Sequence, residues 1–154
     1  MIAVIGPAAM QELGQRVAGN LRAGDVLVLT GNLGAGKTTF VQGLARGLGI
    51  VEPVTSPTFV ISRVLPAPSG PDLVHMDAYR LGGSAELFDL DVEVESVITV
   101  IEWGHDAGPM IADDVLELVI DIDEDDPDLR RVDVVARGGR FLTDGSWRAG
   151  WAEA

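Results

Sequence analysis

The 154-residue sequence predicts an α/β fold around a mixed, partly antiparallel central sheet. Three observations lead there. Val26-Leu27-Val28-Leu29 is a continuous apolar run, as a strand buried on both faces requires. A glycine-rich loop follows at once, and apolar residues then recur at helical spacing. Further on, two strand-like segments are joined by Leu65-Pro66-Ala67-Pro68-Ser69-Gly70-Pro71-Asp72. That connection is too short for a crossover helix, so the two strands should pair antiparallel.

The elements follow in order. Ile2-Ala3-Val4-Ile5 is a short strand, and Pro7 suits a first helical position. Met10, Leu13, Gly14, Val17 and Leu21 form a helical stripe from about residue 8 to 22, closed by the turn Ala23-Gly24-Asp25. After the strand at 26–29 and the loop Gly31 to Gly36, a helix opens at Lys37. Phe40, Val41, Leu44, Ala45 and Leu48 mark its apolar face, and Gly47 or Gly49 ends it. Thr58 to Val64 and Leu73 to Met76 are the antiparallel pair. Ser84 caps a short helix to Leu90. Val97 to Ile101, Val115 to Ile120 and Arg131 to Ala136 are further strands, with an acidic loop, Asp121 to Asp128, between the last two. Arg137-Gly138-Gly139-Arg140 reads as a hairpin turn into Phe141-Leu142. Residues 1–143 are expected to form one domain and 144–154 a frayed tail.

Composition narrows the function. The 24 acidic and 11 basic residues give a formal net charge of -13, which argues against a surface that grips a nucleic-acid backbone by itself. An apolar content of 47% is too high for a disordered acidic chain. Without cysteine there is no disulfide scaffold, thiolate metal site or cysteine nucleophile. No apolar run approaches a membrane span, and Met1 to Met10 lacks a basic leader, so a cytoplasmic protein with no membrane contact is expected. Sixteen of the 24 acids lie between Arg80 and Arg130, where there is no Lys or Arg. This is an acid-rich solvated face, or a surface that docks a basic protein. Lys37 is the single lysine among ten arginines. A surviving ammonium suggests a site that needs a compact point charge in place of a planar fork.

The strongest motif is Gly31-Asn32-Leu33-Gly34-Ala35-Gly36-Lys37-Thr38, which fits G-x-x-x-x-G-K-[ST] between a buried strand and a helix. The glycines let successive N–H groups converge on an anion without a Cβ clash. The helix aims its free N–H groups and positive dipole end at the same point. This is the phosphate cradle of a P-loop NTPase-like three-layer sandwich. Asn32, Leu33, Gly34, Ala35, Gly36, Lys37, Thr38 and Thr39 are the expected ATP/ADP contacts. Lys37 should reach the β- and γ-phosphates, Thr38 should put its hydroxyl on Mg²⁺, and Thr39 is placed for the α-phosphate. Two strands then end in a carboxylate, Asp77 and Glu102, and either could face the metal at the carboxyl ends of a parallel sheet.

Taken with Ser56-Pro57-Thr58, His75-Met76-Asp77-Ala78-Tyr79-Arg80 and Glu102-Trp103, the loop resembles the TsaE (YjeE) family in order and spacing over roughly residues 8 to 136. These are bacterial ATPases of tRNA threonylcarbamoyladenosine biosynthesis. The resemblance implies a compact P-loop fold with a mixed sheet. It also implies ATP hydrolysis that serves a TsaD-like threonylcarbamoyl-transfer subunit and its TsaB-like dimer partner, with tRNA touched only indirectly. It places Thr38 and Glu102 at Mg²⁺ and makes Asp77 a Walker B-type acid. Thr58 becomes a sensor of the γ-phosphate. An arginine before the penultimate strand maps onto Arg130, with Arg131 the adjacent alternative. The chain departs from the family pattern at Asn32, where an acid is common, at Met10, where a threonine is expected, and in the turn Pro66 to Pro71.

Other residues have plainer readings. His75, inside an apolar strand, suits a core or hydrogen-bonded histidine, and His105 a surface one. Trp103 is balanced between packing and a ligand contact, and Arg80 between holding the Asp77 turn and acting on the transferred phosphate. The acids from Asp121 to Asp128 lack the glycine and terminal glutamate of a calcium loop. Two rival functions use the same loop: a small-molecule kinase, disfavoured because residues 81 to 129 hold no basic residue for a lid, and a nucleotide-gated binding switch.

Overall fold

The computed structural model describes residues 1–55, 62–79, 92–143 and 145–151. Its elements are β1 (Ile2–Ile5), α1 (Gly6–Ala18), β2 (Val26–Thr30), α2 (Lys37–Gly47), β3 (Ser62–Leu65), β4 (Leu73–Asp77), β5 (Ile98–Glu102), α3 (Gly108–Ile111), β6 (Val115–Ile122), β7 (Leu129–Arg137) and α4 (Gly139–Thr143), with 3-10 turns at Val94–Ser96 and Gly145–Gly150. The helix expected over Ser84 to Leu90 lies outside the described residues, as does the first part of the strand expected from Thr58.

The strands form one seven-stranded sheet in the order β1-β7-β6-β2-β5-β4-β3. Its centre, β6-β2-β5-β4, is parallel. The flanks are antiparallel: β3 on β4, as the short connection required, and β7 between β6 and β1 on the other side. The α/β class and mixed sheet expected from sequence are therefore present.

Strand alternation sends side chains to two cores. Leu27, Leu29, Ile98, Val100, Leu116, Leu118 and Ile120 pack under α1 and α2. Val26, Val28, Val74, Met76, Ile101 and Val115 form a second core, with Ala107 buried in it. The helices α1 and α2 approach unusually closely, through glycines. A Cβ on Gly43 would lie 2.0 Å from the Gln11 carbonyl oxygen, and one on Gly14 would lie 2.3 Å from that of Phe40.

Two expectations at the C-terminal end fail. Gly138-Gly139 does not turn a hairpin. Gly138 takes a left-handed φ of 80°, and the chain enters α4 with the Arg140 N–H donated to Asp114 Oδ1 at 3.0 Å. The helix presents Arg140 to Asp25 at the far end of the sheet, where Nε and a terminal nitrogen each donate to one carboxylate oxygen at 3.0 Å. The tail is not frayed over residues 145–151. Trp147 and Trp151 are buried, Trp151 stacks on Phe40 of α2 at 6.5 Å, and Trp147 meets Phe141 and Trp151 edge-on. The Trp147 indole N–H donates to the Phe141 carbonyl at 2.7 Å. Two indoles bury enough apolar area to offset the ordering of a small, glycine-bearing segment.

Candidate functional site

The site lies where the parallel strands β2, β4 and β5 end. After Thr30 the chain passes through Gly31 to Gly36 and enters α2 at Lys37. Gly34 and Gly36 take φ of 81° and 108°, conformations that a side chain strongly disfavours. Gly31 is needed for space, since a Cβ there would lie 2.5 Å from the Ile120 carbonyl oxygen. Ala35 is buried, with its N–H donated to the Asn32 carbonyl at 3.0 Å, whereas Leu33 is 90% exposed.

Lys37 folds back over this loop. Its Nζ donates to the carbonyls of Gly31 at 2.6 Å and Asn32 at 3.1 Å, and it sits 4.0 Å from the centroid of the Trp103 ring. Burial lowers its pKa below the usual lysine value, against the opposing pull of Glu102 and then Asp77. The ammonium is thus desolvated and presented beside the loop. Trp103 holds this place in a left-handed backbone conformation, φ 60°, unique among the described non-glycine residues. Its ring also packs against Tyr79, with centroids 5.0 Å apart.

The next residue, Thr38, donates its hydroxyl to Glu102 Oε1 at 2.9 Å. Glu102 closes β5 and is buried, in parallel register with Asp77, the buried last residue of β4. Asp77 accepts the Tyr79 N–H at Oδ1, 2.9 Å away. The structure therefore gathers Lys37, Thr38, Asp77 and Glu102 at one end of the sheet. All the oxygen donors there are hydroxyl or carboxylate, which suits a hard cation such as Mg²⁺. Thr39 follows on the first turn of α2.

Arg130 and Arg131 separate by strand alternation. Arg130 turns to the loop, with Nε donating to the Ala35 carbonyl at 3.0 Å and a terminal nitrogen to that of Gly34 at 3.2 Å. Arg131 pairs instead with Asp123 at 2.5 Å. Both stand inside β7, the last strand, because the segment taken for a later one is α4. Gly6, Pro7, Met10, Ala35, Gly36, Asp128 and Arg130 line a cleft of 120 Å³ beside the loop. Thr58, with Ser56 and Pro57, lies outside the described residues, as does Arg80. In the acidic loop, the Asp123 carboxylate accepts the N–H groups of Asp125 and Asp126, which helps to hold its pKa below the ordinary aspartate value.

Three contacts at the site were missed in the sequence. The buried His75 shares a hydrogen bond with Glu102 Oε1 at 3.0 Å, so the plain hydrogen-bonded reading places it directly behind a site carboxylate. Glu117, hidden in the run Val115 to Ile122, accepts the Thr30 hydroxyl at 2.7 Å. His105, largely exposed as expected, also reaches Glu117, with Nδ1 2.6 Å from Oε1. The only sequence signals were an acid interrupting an apolar strand and a histidine close behind the Glu-Trp pair.

The hydrogen bond to Glu117 and its charge raise the His105 pKa above 6.5, with Asp106 adding to the rise and Arg137 and desolvation opposing it. A raised folded-state value means that the pair's stabilisation is present in full below 6.5 and is lost as pH climbs through the folded pKa. The gap in Tm between the wild type and His105→Ala is therefore expected to narrow as pH rises from 6 towards 9. Thermal melts across that range measure it, and a gap that widens would contradict the pairing.

Known proteins resemble this chain over most of its length. A family model described as TsaE, threonylcarbamoyl adenosine biosynthesis protein, matches residues 5–132. The chain is 48% identical over 140 residues to the tRNA threonylcarbamoyladenosine biosynthesis protein TsaE of Streptomyces coelicolor, covering 87% of this chain and 95% of that one. It is 36% identical over 143 residues to the protein of the same name from Bacillus subtilis, covering 89% of this chain and 85% of that one. Among solved structures, the crystal structure of Bacillus subtilis YdiB superposes with a TM-score of 0.75 at 32% identity, over 96% of this chain and 93% of that one. The chain belongs to the TsaE family of threonylcarbamoyl adenosine biosynthesis proteins.

Proposed function

We propose that this protein binds ATP with Mg²⁺ and hydrolyses it in the service of threonylcarbamoyladenosine formation at position 37 of tRNA. It acts on a TsaD-like transfer subunit and its TsaB-like partner, and touches tRNA only through them. The observation that carries this is the Thr38–Glu102 hydrogen bond of 2.9 Å beside the buried Lys37, at the mouth of a glycine loop that opens a helix.

In this reading, the N–H groups of Asn32 to Thr39 surround the phosphates, and Lys37 exchanges its two carbonyl acceptors for phosphate oxygens. Thr38, Glu102 and Asp77 supply the oxygen donors for Mg²⁺, which when bound neutralises phosphate charge. His75 fixes the Glu102 carboxylate from behind, through its 3.0 Å contact. Met10, Pro7 and Arg130 line the cleft that suits the adenine end of the nucleotide. Thr58 remains the proposed sensor of the γ-phosphate. The acid-rich surface is consistent with an indirect relation to tRNA, because a chain of net charge -13 repels a polyanion.

The test is steady-state phosphate release by the purified protein, alone and with the transfer pair from the same source. Stimulation by the pair is the expected result. Hydrolysis indifferent to the pair would keep the ATPase and remove the pathway assignment. Transfer of the phosphate to a small alcohol or nucleoside would replace hydrolysis with a kinase activity.

A further inference from the structure

Glu117 sits in the middle of β6 with Val28 and Val135 beside it in register, and it is only 4% exposed. A carboxylate there is expensive to desolvate, and a β-branched residue would suit the pleat better. What it does is specific. The single oxygen Oε1 accepts the Thr30 hydroxyl at 2.7 Å and meets His105 Nδ1 at 2.6 Å.

Each of those residues leads to Lys37 by a separate route. Thr30 is bonded to Gly31, whose carbonyl holds the lysine Nζ at 2.6 Å. His105 stands two residues beyond Trp103, whose ring covers the same Nζ at 4.0 Å. The Trp103 backbone, at φ 60°, is a conformation that a bulky residue keeps only when its surroundings hold it. Two anchors do so on either side: the Trp103 N–H donates to the Leu29 carbonyl at 2.9 Å, and His105 is tied to β6.

We propose that Glu117 is a positioning residue of the phosphate site. Through one buried oxygen it fixes both walls that hold the Lys37 ammonium, the start of the glycine loop and the Trp103 turn. The role deepens the nucleotide reading above and rests on it, but its direct test needs no nucleotide.

Lys37 is the chain's single lysine, so protein grown with ¹³C-lysine gives one side-chain spin system. Its ε-CH₂ resonance should be displaced upfield by the Trp103 ring, and Trp103→Leu should return it to the free-lysine position. Glu117→Leu is expected to remove half or more of that displacement. His105→Ala should act in the same direction, and the double variant should be no worse than Glu117→Leu alone, as for residues on one path. Glu117→Gln, which keeps an acceptor for Thr30, should recover part of the shift. In the same samples, the Kd for ATP should rise about tenfold or more in Glu117→Leu.

A folded Glu117→Leu protein with an unmoved lysine resonance overturns the proposal and leaves Glu117 a structural residue only. If Glu117→Leu does not fold, His105→Ala decides on the same criterion, since its side chain is largely exposed. A wild type that binds no ATP, while its lysine resonance still follows Glu117, would sink the nucleotide reading and support the positioning role.

Discussion

Lys37→Ala is expected to abolish ATP hydrolysis, with phosphate release down by at least about 10²-fold. The wild-type ammonium is held by two carbonyls and an aromatic face, and burial has stripped it of most water. A charge-assisted hydrogen bond from it to a bound phosphate is worth about 1.5–3 kcal/mol in the ground state. It is worth more where negative charge grows during phosphoryl transfer, because the donor is already in place and dry. Lys37→Arg is expected to fail almost as badly. A planar guanidinium cannot occupy the narrow space between the Gly31 carbonyl and the Trp103 ring in the manner of an ammonium. Phosphate release assays on both variants, with melting curves to confirm folding, measure this. Turnover near the wild-type rate in Lys37→Ala would overturn the proposed chemistry.

The second large effect concerns stability. Gly43→Ala is expected to destabilise the protein by about 3 kcal/mol, although alanine is the better helix former by about 1 kcal/mol. The added Cβ would stand 2.0 Å from the Gln11 carbonyl oxygen and 2.6 Å from its carbonyl carbon and Cα. These are backbone atoms of α1, so no side chain can rotate away. The two helices must separate, which would also strain the Gln11–Gln42 hydrogen bond of 3.0 Å across the seam. For a domain of this size the loss corresponds to a fall in Tm of about 6–12 °C. Because α2 begins at Lys37, ATP affinity should weaken with it. A Tm within a degree of the wild type would show slack in the seam that the structure does not have.

The glycine loop was legible because its shape is carried by backbone. Glycines at 31, 34 and 36 next to a Lys-Thr pair define a shape with little dependence on tertiary context. The strand-end acids Asp77 and Glu102 were legible for a related reason, since parallel strands β4 and β5 bring their last residues into register. The antiparallel β3–β4 pair followed from a connection length alone. Contacts that cross the sheet were not legible. His75, Glu117 and His105 each look ordinary in their own segment and acquire a role only when β4, β5, β2 and β6 are laid side by side. The C-terminal segment misled because it carries no periodic apolar pattern after Thr143 and a paired glycine that reads as a turn. The informative feature was a pair of tryptophans four residues apart in a chain with 5% aromatic residues. Their partners, Phe40 and Phe141, come from distant and adjacent segments alike.

Arg130 reaches back to Ala35 across 95 positions of sequence, and β1 pairs with the distant β7. During synthesis the glycine loop therefore leaves the ribosome long before the strand that braces it. At about 5–20 residues per second, the interval is about 5–20 s. For that time residues 31–38 are joined to neither β6 nor β7, and the edge of β2 that β6 will cover is open. Until Arg130 arrives the proposed nucleotide cleft lacks one of its walls, so a ligand of that cleft could not stabilise the early chain. Over that interval the apolar edge of β2 is a site at which another chain could pair, and faster elongation shortens the exposure.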